Sequence, residues 1–119
     1  MTIIVNRCYK SCCNSALCTD PEVVERATIP VEKISGSILL ISGEEDVTCN
    51  FSKIAIDRLD KSKSAHYYKH LIYPGAGHSI GIQNVYINQG NKKETDFASL
   101  DSWKRTIAFY YKSIESVNK

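Results

Sequence analysis

Two residues of complementary chemistry each follow a predicted strand. Asp46 ends the polar segment 43–46, and His78 ends the glycine-rich segment 74–78. A carboxylate beside a histidine fixes the imidazole tautomer and stabilises the protonated ring, and these are the supporting roles in a nucleophilic triad. The spacing therefore predicts Asp46 and His78 as a catalytic acid and base, provided that their two loops meet.

The same two residues also have a structural interpretation. Asp46, together with Thr48, could cap the helix that follows, because short polar side chains accept hydrogen bonds from the first amides of a helix. His78 stands in a glycine-rich loop, where it could simply tolerate an unusual backbone. Spacing alone leaves both interpretations open.

Such a triad also requires a nucleophile. Residues 77–81 fit the pattern G-x-S-x-G of a nucleophile elbow around Ser79, but no helical stripe follows and no histidine comes later in the chain. We therefore interpret Ser79 as a loop residue and expect a nucleophile upstream of Asp46. None of the upstream candidates has the glycine neighbours that an elbow needs: Cys8, Ser11, Cys12, Cys13, Ser15 and Cys18.

The cysteines predict free thiols. Four of the five lie within residues 1–18, and their spacing C-x3-C-C-x4-C lacks paired C-x2-C knuckles and a nearby histidine, which disfavours zinc. The odd count favours a reducing, cytoplasmic location. Cys49 is interpreted as a packing residue, and His66 and His70 as surface or packing residues, so neither a metal nor a cofactor is predicted.

The composition limits the number of domains and the classes of partner that we expect. With 119 residues, 43% hydrophobic and 24% charged, the chain is expected to form one small globular domain. The net charge is +2 and the sequence has no cluster of basic residues, which argues against a nucleic-acid partner. The longest apolar stretch, 38–41, is far shorter than the roughly 20 residues that span a membrane, and no secretion signal is visible.

The positions of these residues depend on the elements around them. Residues 1–18 show no period and are predicted to form a poorly structured, cysteine-rich tail, followed by a domain over 19–119. Within that domain the pattern predicts a short helix from Asp20 to Ala27, a buried strand over 37–42, an amphipathic helix over 50–59, a strand over 66–73, a loop over 79–95 and a long final helix.

This order predicts an α/β fold built on a parallel βαβα unit with covering helices. The final helix carries an apolar stripe and is predicted to pack as a cover; the stripe comprises Leu100, Trp103, Ile107, Tyr110, Ile114 and Val117. In an open parallel sheet, loops beyond the carboxyl ends of the strands converge on one crevice. Asp46 and His78 are expected there if the two strands are neighbours.

Three ordered motifs resemble a known family. Residues 29–46, IPVEKISGSILLISGEED, resemble the segment IPVEKI.GPILLISG.DD of the C-terminal domain shared by acyl-CoA thioesterases and bile acid-CoA:amino acid N-acyltransferase. Residues 73–78 resemble the YPGAGH histidine loop of that family, and residues 101–103 resemble its DSW motif. The likeness extends over roughly residues 20–114.

The resemblance implies the C-terminal portion of an α/β-hydrolase, acting on acyl-CoA. The family acid falls on Asp46 and the family histidine on His78, and a Ser or Cys nucleophile is implied on an elbow N-terminal to both. This chain has Cys49 where the family usually has Trp, and a shortened stretch over 81–91. The alternative is a catalytically inactive, truncated form that acts as an interaction or regulatory module and self-associates through an exposed sheet edge.

Overall fold

A computed structural model describes residues 2–4, 21–46, 49–82, 85 and 89–117 of the chain. The described elements are β1 (Thr2–Ile4), α1 (Pro21–Ala27), a short 3-10 helix (Val31–Lys33), β2 (Ile38–Gly43), α2 (Cys49–Ser62), β3 (Tyr68–Tyr73) and α3 (Lys92–Val117). The predicted α/β class and the predicted order of the domain's elements are confirmed. No helix among the described residues is long and apolar enough to cross a membrane.

The three strands form one parallel sheet in the order β1-β2-β3. The register pairs Ile38 with Tyr68 and Gly43 with Tyr73, so β2 and β3 end level with each other. Ile38, Leu39 and Leu40 are fully buried, because β2 is the central strand and is covered on both faces. The loops after β2 and β3 consequently leave the same edge of the sheet.

Helices cover the two faces of the sheet and create two separate cores. On the α2 side, the buried cluster comprises Val31, Ile38, Leu40 and Leu59. On the α3 side, it comprises Leu39, Leu71, Tyr73, Ala76, Ala98 and Phe109. Alternate residues of β2 enter opposite cores, as the period of two along a strand requires. The result is a three-layer arrangement with β2 and β3 at its centre.

Arg58 fastens α2 to the segment before β2. Its guanidinium donates to both carboxylate oxygens of Glu25 at 2.9 Å, and to the two oxygens of Glu32 at 2.9 and 2.7 Å. The hydrogen bonds from Arg58 lower the pKa of Glu32 to about 2. Paired hydrogen bonds of this kind suit the planar guanidinium group. Arg58 therefore holds α1 and the 3-10 helix in place relative to α2.

The first strand lies within residues 1–18, which are predicted to form a poorly structured tail. Thr2–Ile4 form β1, paired in parallel with Ile38–Leu40, whereas residues 5–20 lie outside the described part of the chain. Three residues are too short a run for any period to be read. Their strand conformation depends on pairing with β2, which is distant in sequence.

The first residues of β3 and α3 also differ from the prediction. Strand β3 begins at Tyr68, so His66 precedes it. Helix α3 begins at Lys92, inside the segment predicted as a loop. Asn91 is the reason, because its Oδ1 accepts hydrogen bonds from the amides of Lys93 at 2.9 Å and Glu94 at 3.4 Å. Such a side-chain cap satisfies amides that have no partner within the helix.

Helix α3 covers the sheet with the face opposite to the one expected. The predicted stripe points outward, and its described members Leu100, Trp103, Ile107, Tyr110 and Ile114 are exposed. The face against the sheet instead carries mostly small residues: Thr95, Ala98, Ser99, Ser102, Phe109 and Ser113. Small side chains let the helix come close to the loop after β3, where two of its hydroxyl groups accept hydrogen bonds.

Candidate active site

Asp46 and His78 meet at the carboxyl ends of β2 and β3. His78 Nδ1 lies 2.9 Å from Asp46 Oδ2. The Asp46 side chain is 9% exposed and that of His78 is 24% exposed, so the carboxylate lies deeper than the ring. A charge-assisted hydrogen bond at this depth holds the imidazole in one orientation, while the ring stays partly exposed to solvent.

The two loops that carry this pair are interlocked through the backbone. The Glu44 amide donates to the carbonyl of Tyr73, and the Glu45 amide to the carbonyl of Ala76, both at 3.0 Å. Gly43 permits this approach, because a Cβ at that position would lie 2.2 Å from the Ala76 oxygen. The distance between Asp46 and His78 is thus set by main-chain contacts on either side of them.

Two hydroxyl groups of α3 bracket His78. Thr95 Oγ1 accepts a hydrogen bond from the Gly77 amide at 3.0 Å, and Ser99 Oγ accepts one from the Gly81 amide at 3.3 Å. Thr95 is only 1% exposed. Sequence reasoning missed both residues; the available signal was a pair of hydroxyls four residues apart, which lie on the same face of a helix.

Thr95→Val is expected to reduce the free energy of unfolding by about 1 to 3 kcal/mol, because the buried Gly77 amide loses its acceptor. Thr95→Ser, which keeps the hydroxyl, should lose less. The measurement is urea unfolding of the full chain. Thr106→Val on the same helix is the matched control, and equal losses from the two valine variants would contradict the importance of this hydrogen bond.

The DSW motif at residues 101–103 attaches α3 to the sheet and to the histidine loop. Asp101 Oδ2 accepts a hydrogen bond from the Tyr73 hydroxyl at 2.9 Å and also binds Arg105. Burial, followed by the contact with Asp101, raises the pKa of Tyr73 to about 12, which keeps the phenol as a donor. The Trp103 indole donates to the Gly81 carbonyl at 3.3 Å. The motif therefore supports the site without reaching into it.

The orientation of His78 determines which of its nitrogens can do chemistry. With Nδ1 facing the Asp46 carboxylate, the favoured neutral tautomer carries its proton on Nδ1. Nε2 then holds the lone pair that can take a proton from a reacting group. Once the ring is protonated, the carboxylate stabilises its positive charge. The arrangement is suited to general acid and base catalysis.

Within the described residues, no other candidate for a nucleophile or a metal ligand joins this pair. Ser79 lies in a turn and is 2% exposed, and no helix follows it among the described residues up to Ile82. Cys49 begins α2, but its side chain lies outside the described part of the chain, as do Cys8, Cys12, Cys13 and Cys18. Within the described ranges, His, Cys, Asp and Glu form no group of three or more that could hold a metal ion.

The remaining histidines lie elsewhere. His66 is exposed ahead of β3. His70 Nε2 lies 2.6 Å from Ser42 Oγ, on the α2 side of the sheet, and burial together with the charge of Lys53 lowers the pKa of His70. His70 therefore belongs to the packing beneath α2, as its sequence position suggested.

Comparison with known proteins identifies the family. The family described as "BAAT / Acyl-CoA thioester hydrolase C terminal" matches residues 11–116. The chain is similar to the peroxisomal succinyl-coenzyme A thioesterase of Mus musculus, with 29% identity over 107 residues that cover 76% of this chain and 25% of the relative. It is also similar to the acyl-coenzyme A amino acid N-acyltransferase 2 of Rattus norvegicus, with 39% identity over 77 residues that cover 61% of this chain and 17% of the relative.

The chain thus spans a quarter or less of the length of these two curated relatives. No solved structure matches it significantly. The family match covers most of the chain and includes all three motifs described above. The chain belongs to the BAAT / acyl-CoA thioester hydrolase C-terminal family.

Proposed function

We propose that this chain is the C-terminal portion, over residues 19–119, of an α/β-hydrolase that cleaves acyl-CoA thioesters, and that Asp46 and His78 are its catalytic acid and base. The observation that carries the proposal is the 2.9 Å contact between His78 Nδ1 and Asp46 Oδ2 at two neighbouring strand ends. The names of the two relatives, a thioesterase and an acyl-CoA N-acyltransferase, supply the substrate class. Such a reaction belongs to acyl-CoA metabolism.

In the proposed reaction, a Ser or Cys nucleophile from outside the described residues attacks the thioester carbonyl. His78 Nε2 takes the proton of the nucleophile as its bond to the acyl carbon forms. When the bond between that carbon and the CoA sulfur breaks, protonated His78 returns the proton to the thiolate. Asp46 keeps the ring oriented and stabilises its charge throughout.

The second half of the reaction has two candidate acceptors. Water would release a free acid, as in a thioesterase, and an amine would give an amide, as in an N-acyltransferase. In either case His78 removes a proton from the acceptor as its bond to the acyl carbon forms. The acyl group then leaves the nucleophile, which recovers the proton from His78.

A second candidate function is an inactive interaction module. Within the described residues, β1 and β3 are the edges of a sheet of only three strands, so each has one side that no other described strand pairs. An unpaired edge is a template for another strand. In this alternative the chain would associate with a copy of itself or with another protein, and the Asp46–His78 contact would be a structural remnant.

The experiment that separates these functions is a fusion enzyme. The portion of the mouse relative that precedes its aligned region is joined to this chain, and CoA release from succinyl-CoA and from a long-chain acyl-CoA is followed with a thiol-reactive dye. We expect turnover, and a loss of about 10²- to 10⁴-fold in kcat on His78→Ala, the range typical of general acid and base catalysis.

His66→Ala is the matched control, because His66 is exposed and lies ahead of β3. It should leave the rate unchanged. Mass analysis of the products in the presence of free amino acids distinguishes hydrolysis from acyl transfer. A folded fusion enzyme that releases no CoA, or that keeps its rate after His78→Ala, would favour the interaction module instead.

A further inference from the structure

The outward face of α3 is the largest apolar feature left uncovered in the described residues. We define the α3 seam as Leu100, Trp103, Ile107, Tyr110 and Ile114, whose exposed fractions are 52, 56, 53, 47 and 44%. Phe97 and Tyr111, which flank the seam, are also exposed. The same helix buries small residues on its other face: Thr95, Ala98, Ser99, Ser102 and Ser113. Contiguous exposed apolar surface of this kind marks an interaction site.

The spacing of the seam identifies the shape of its partner. Its members follow one another at intervals of three, four, three and four residues, which is the a and d pattern of a heptad repeat. A repeat of 3.5 residues keeps one narrow line of side chains against another helix, whereas a helix on a broad surface uses a wider stripe. The seam is therefore shaped for a second helix.

The seam, taken together with the flanking Tyr111, is close to symmetric about Ile107. Counting seven residues in each direction reaches Leu100 and Ile114, and counting four reaches Trp103 and Tyr111. When two identical helices pack antiparallel about a twofold axis at Ile107, apolar residues meet at each of these levels. A helix with an unrelated partner does not need this symmetry.

We propose that the α3 seam binds the α3 seam of a second copy of this chain, in an antiparallel pair centred on Ile107. Such an isologous contact is the usual form of a homodimer interface. The proposal is independent of the catalytic function proposed above, and it locates self-association on the helix instead of the sheet edge.

The exposed Lys104 supports the antiparallel orientation. In the antiparallel pair, Lys104 lies level with Tyr110 of the other copy, and an ammonium group over an aromatic ring is favourable. In this orientation the two helix dipoles also point in opposite directions, which is the favourable arrangement.

The area available is close to what a dimer needs. The seam and its two flanking aromatic residues are seven large side chains, each about half exposed. At roughly 200 Å² for each aromatic side chain and less for the three aliphatic ones, they offer at most about 700 Å² per copy. A standard stable interface buries about 800 Å² per partner. Additional contacts at the rim of the seam would supply the remainder.

Sedimentation equilibrium of the full chain at increasing concentration tests the proposal. We expect a monomer–dimer equilibrium, and an increase in Kd of at least about 100-fold for Ile107→Glu, which brings two carboxylates together at the twofold axis. The variant should remain folded, since Ile107 is exposed in the single chain, and circular dichroism verifies this. Ile29→Glu, at an equally exposed isoleucine away from α3, is the matched control and should dimerise normally.

Charge pairing then tests the register and the orientation. An equimolar mixture of the Ile107→Glu and Ile107→Lys variants should form heterodimers. The double variant Leu100→Glu with Ile114→Lys should dimerise, because antiparallel packing sets opposite charges level with each other, whereas parallel packing would set like charges together. A chain that stays monomeric at every concentration overturns the proposal, as does a dimer that Ile107→Glu leaves intact, which would point to the sheet edge.

Discussion

Asp46→Asn in the fusion enzyme is expected to lower kcat for CoA release by about 10²- to 10⁴-fold, with little change in the KM for acyl-CoA. The amide that replaces the carboxylate would stand 2.9 Å from His78 Nδ1. If its NH₂ group donates to Nδ1, the ring proton moves to Nε2, and the histidine can no longer accept a proton from the nucleophile. The variant also removes the negative charge that stabilises the protonated ring.

Glu45→Gln provides the matched control for this prediction. Glu45 is the exposed neighbour of Asp46 in the same loop, so the variant removes the same charge without touching His78. Its kcat should equal that of the parent fusion enzyme. An equal loss in both variants would mean that the charge of the loop, and not the contact with the ring, sustains the reaction.

The double variant Asp46→Asn with His78→Ala tests whether the two residues act as a unit. If Asp46 works through His78, the double variant should be no slower than His78→Ala alone, because removing one member of a catalytic unit already abolishes its contribution. Losses that multiply would contradict this and assign Asp46 a separate role. The measurement is kcat for CoA release at saturating acyl-CoA.

The contact between Asp46 and His78 could be predicted from the sequence because the two strands that precede these residues have clear patterns. The apolar run ending at Ser42 shows the pattern of a strand buried on both faces, and the aromatic and branched run before Pro74 predicts its neighbour. Parallel strands bring their carboxyl ends to one edge of the sheet. The sequence therefore predicted that Asp46 and His78 lie together at this edge of the sheet.

The orientation of α3 was not accessible in the same way. Hydrophobic periodicity favoured its apolar stripe as the buried face, yet Thr95 and Ser99 face the sheet instead. Their hydroxyls accept hydrogen bonds from Gly77 and Gly81, two amides in a loop distant along the chain. Such hydroxyl acceptors add nothing to the hydrophobic period of the helix that supplies them, so hydrophobic periodicity alone selects the wrong face.

The interlocked loops lead to the final prediction, for Gly43. A Cβ at Gly43 would lie 2.2 Å from the Ala76 oxygen and 2.6 Å from the Gly77 oxygen, where real contacts are at least 3.0 Å. Gly43→Ala must therefore push the histidine loop away by about 1 Å, and a displacement of that size costs about 10²-fold in rate. We expect kcat of the fusion enzyme to fall about 100-fold, and the free energy of unfolding of the chain to fall by about 1 to 3 kcal/mol.

A variant that destabilises the chain away from the site separates the two effects of Gly43→Ala. Leu59→Ala empties part of the core beneath α2 and should cost about 2 to 5 kcal/mol, at least as much as Gly43→Ala. Its kcat should nevertheless stay near that of the parent at temperatures where the enzyme remains folded, because the loops after β2 and β3 keep their contact. A Gly43→Ala enzyme with the parent's kcat would show that the spacing of Asp46 and His78 does not depend on this close approach of the two backbones.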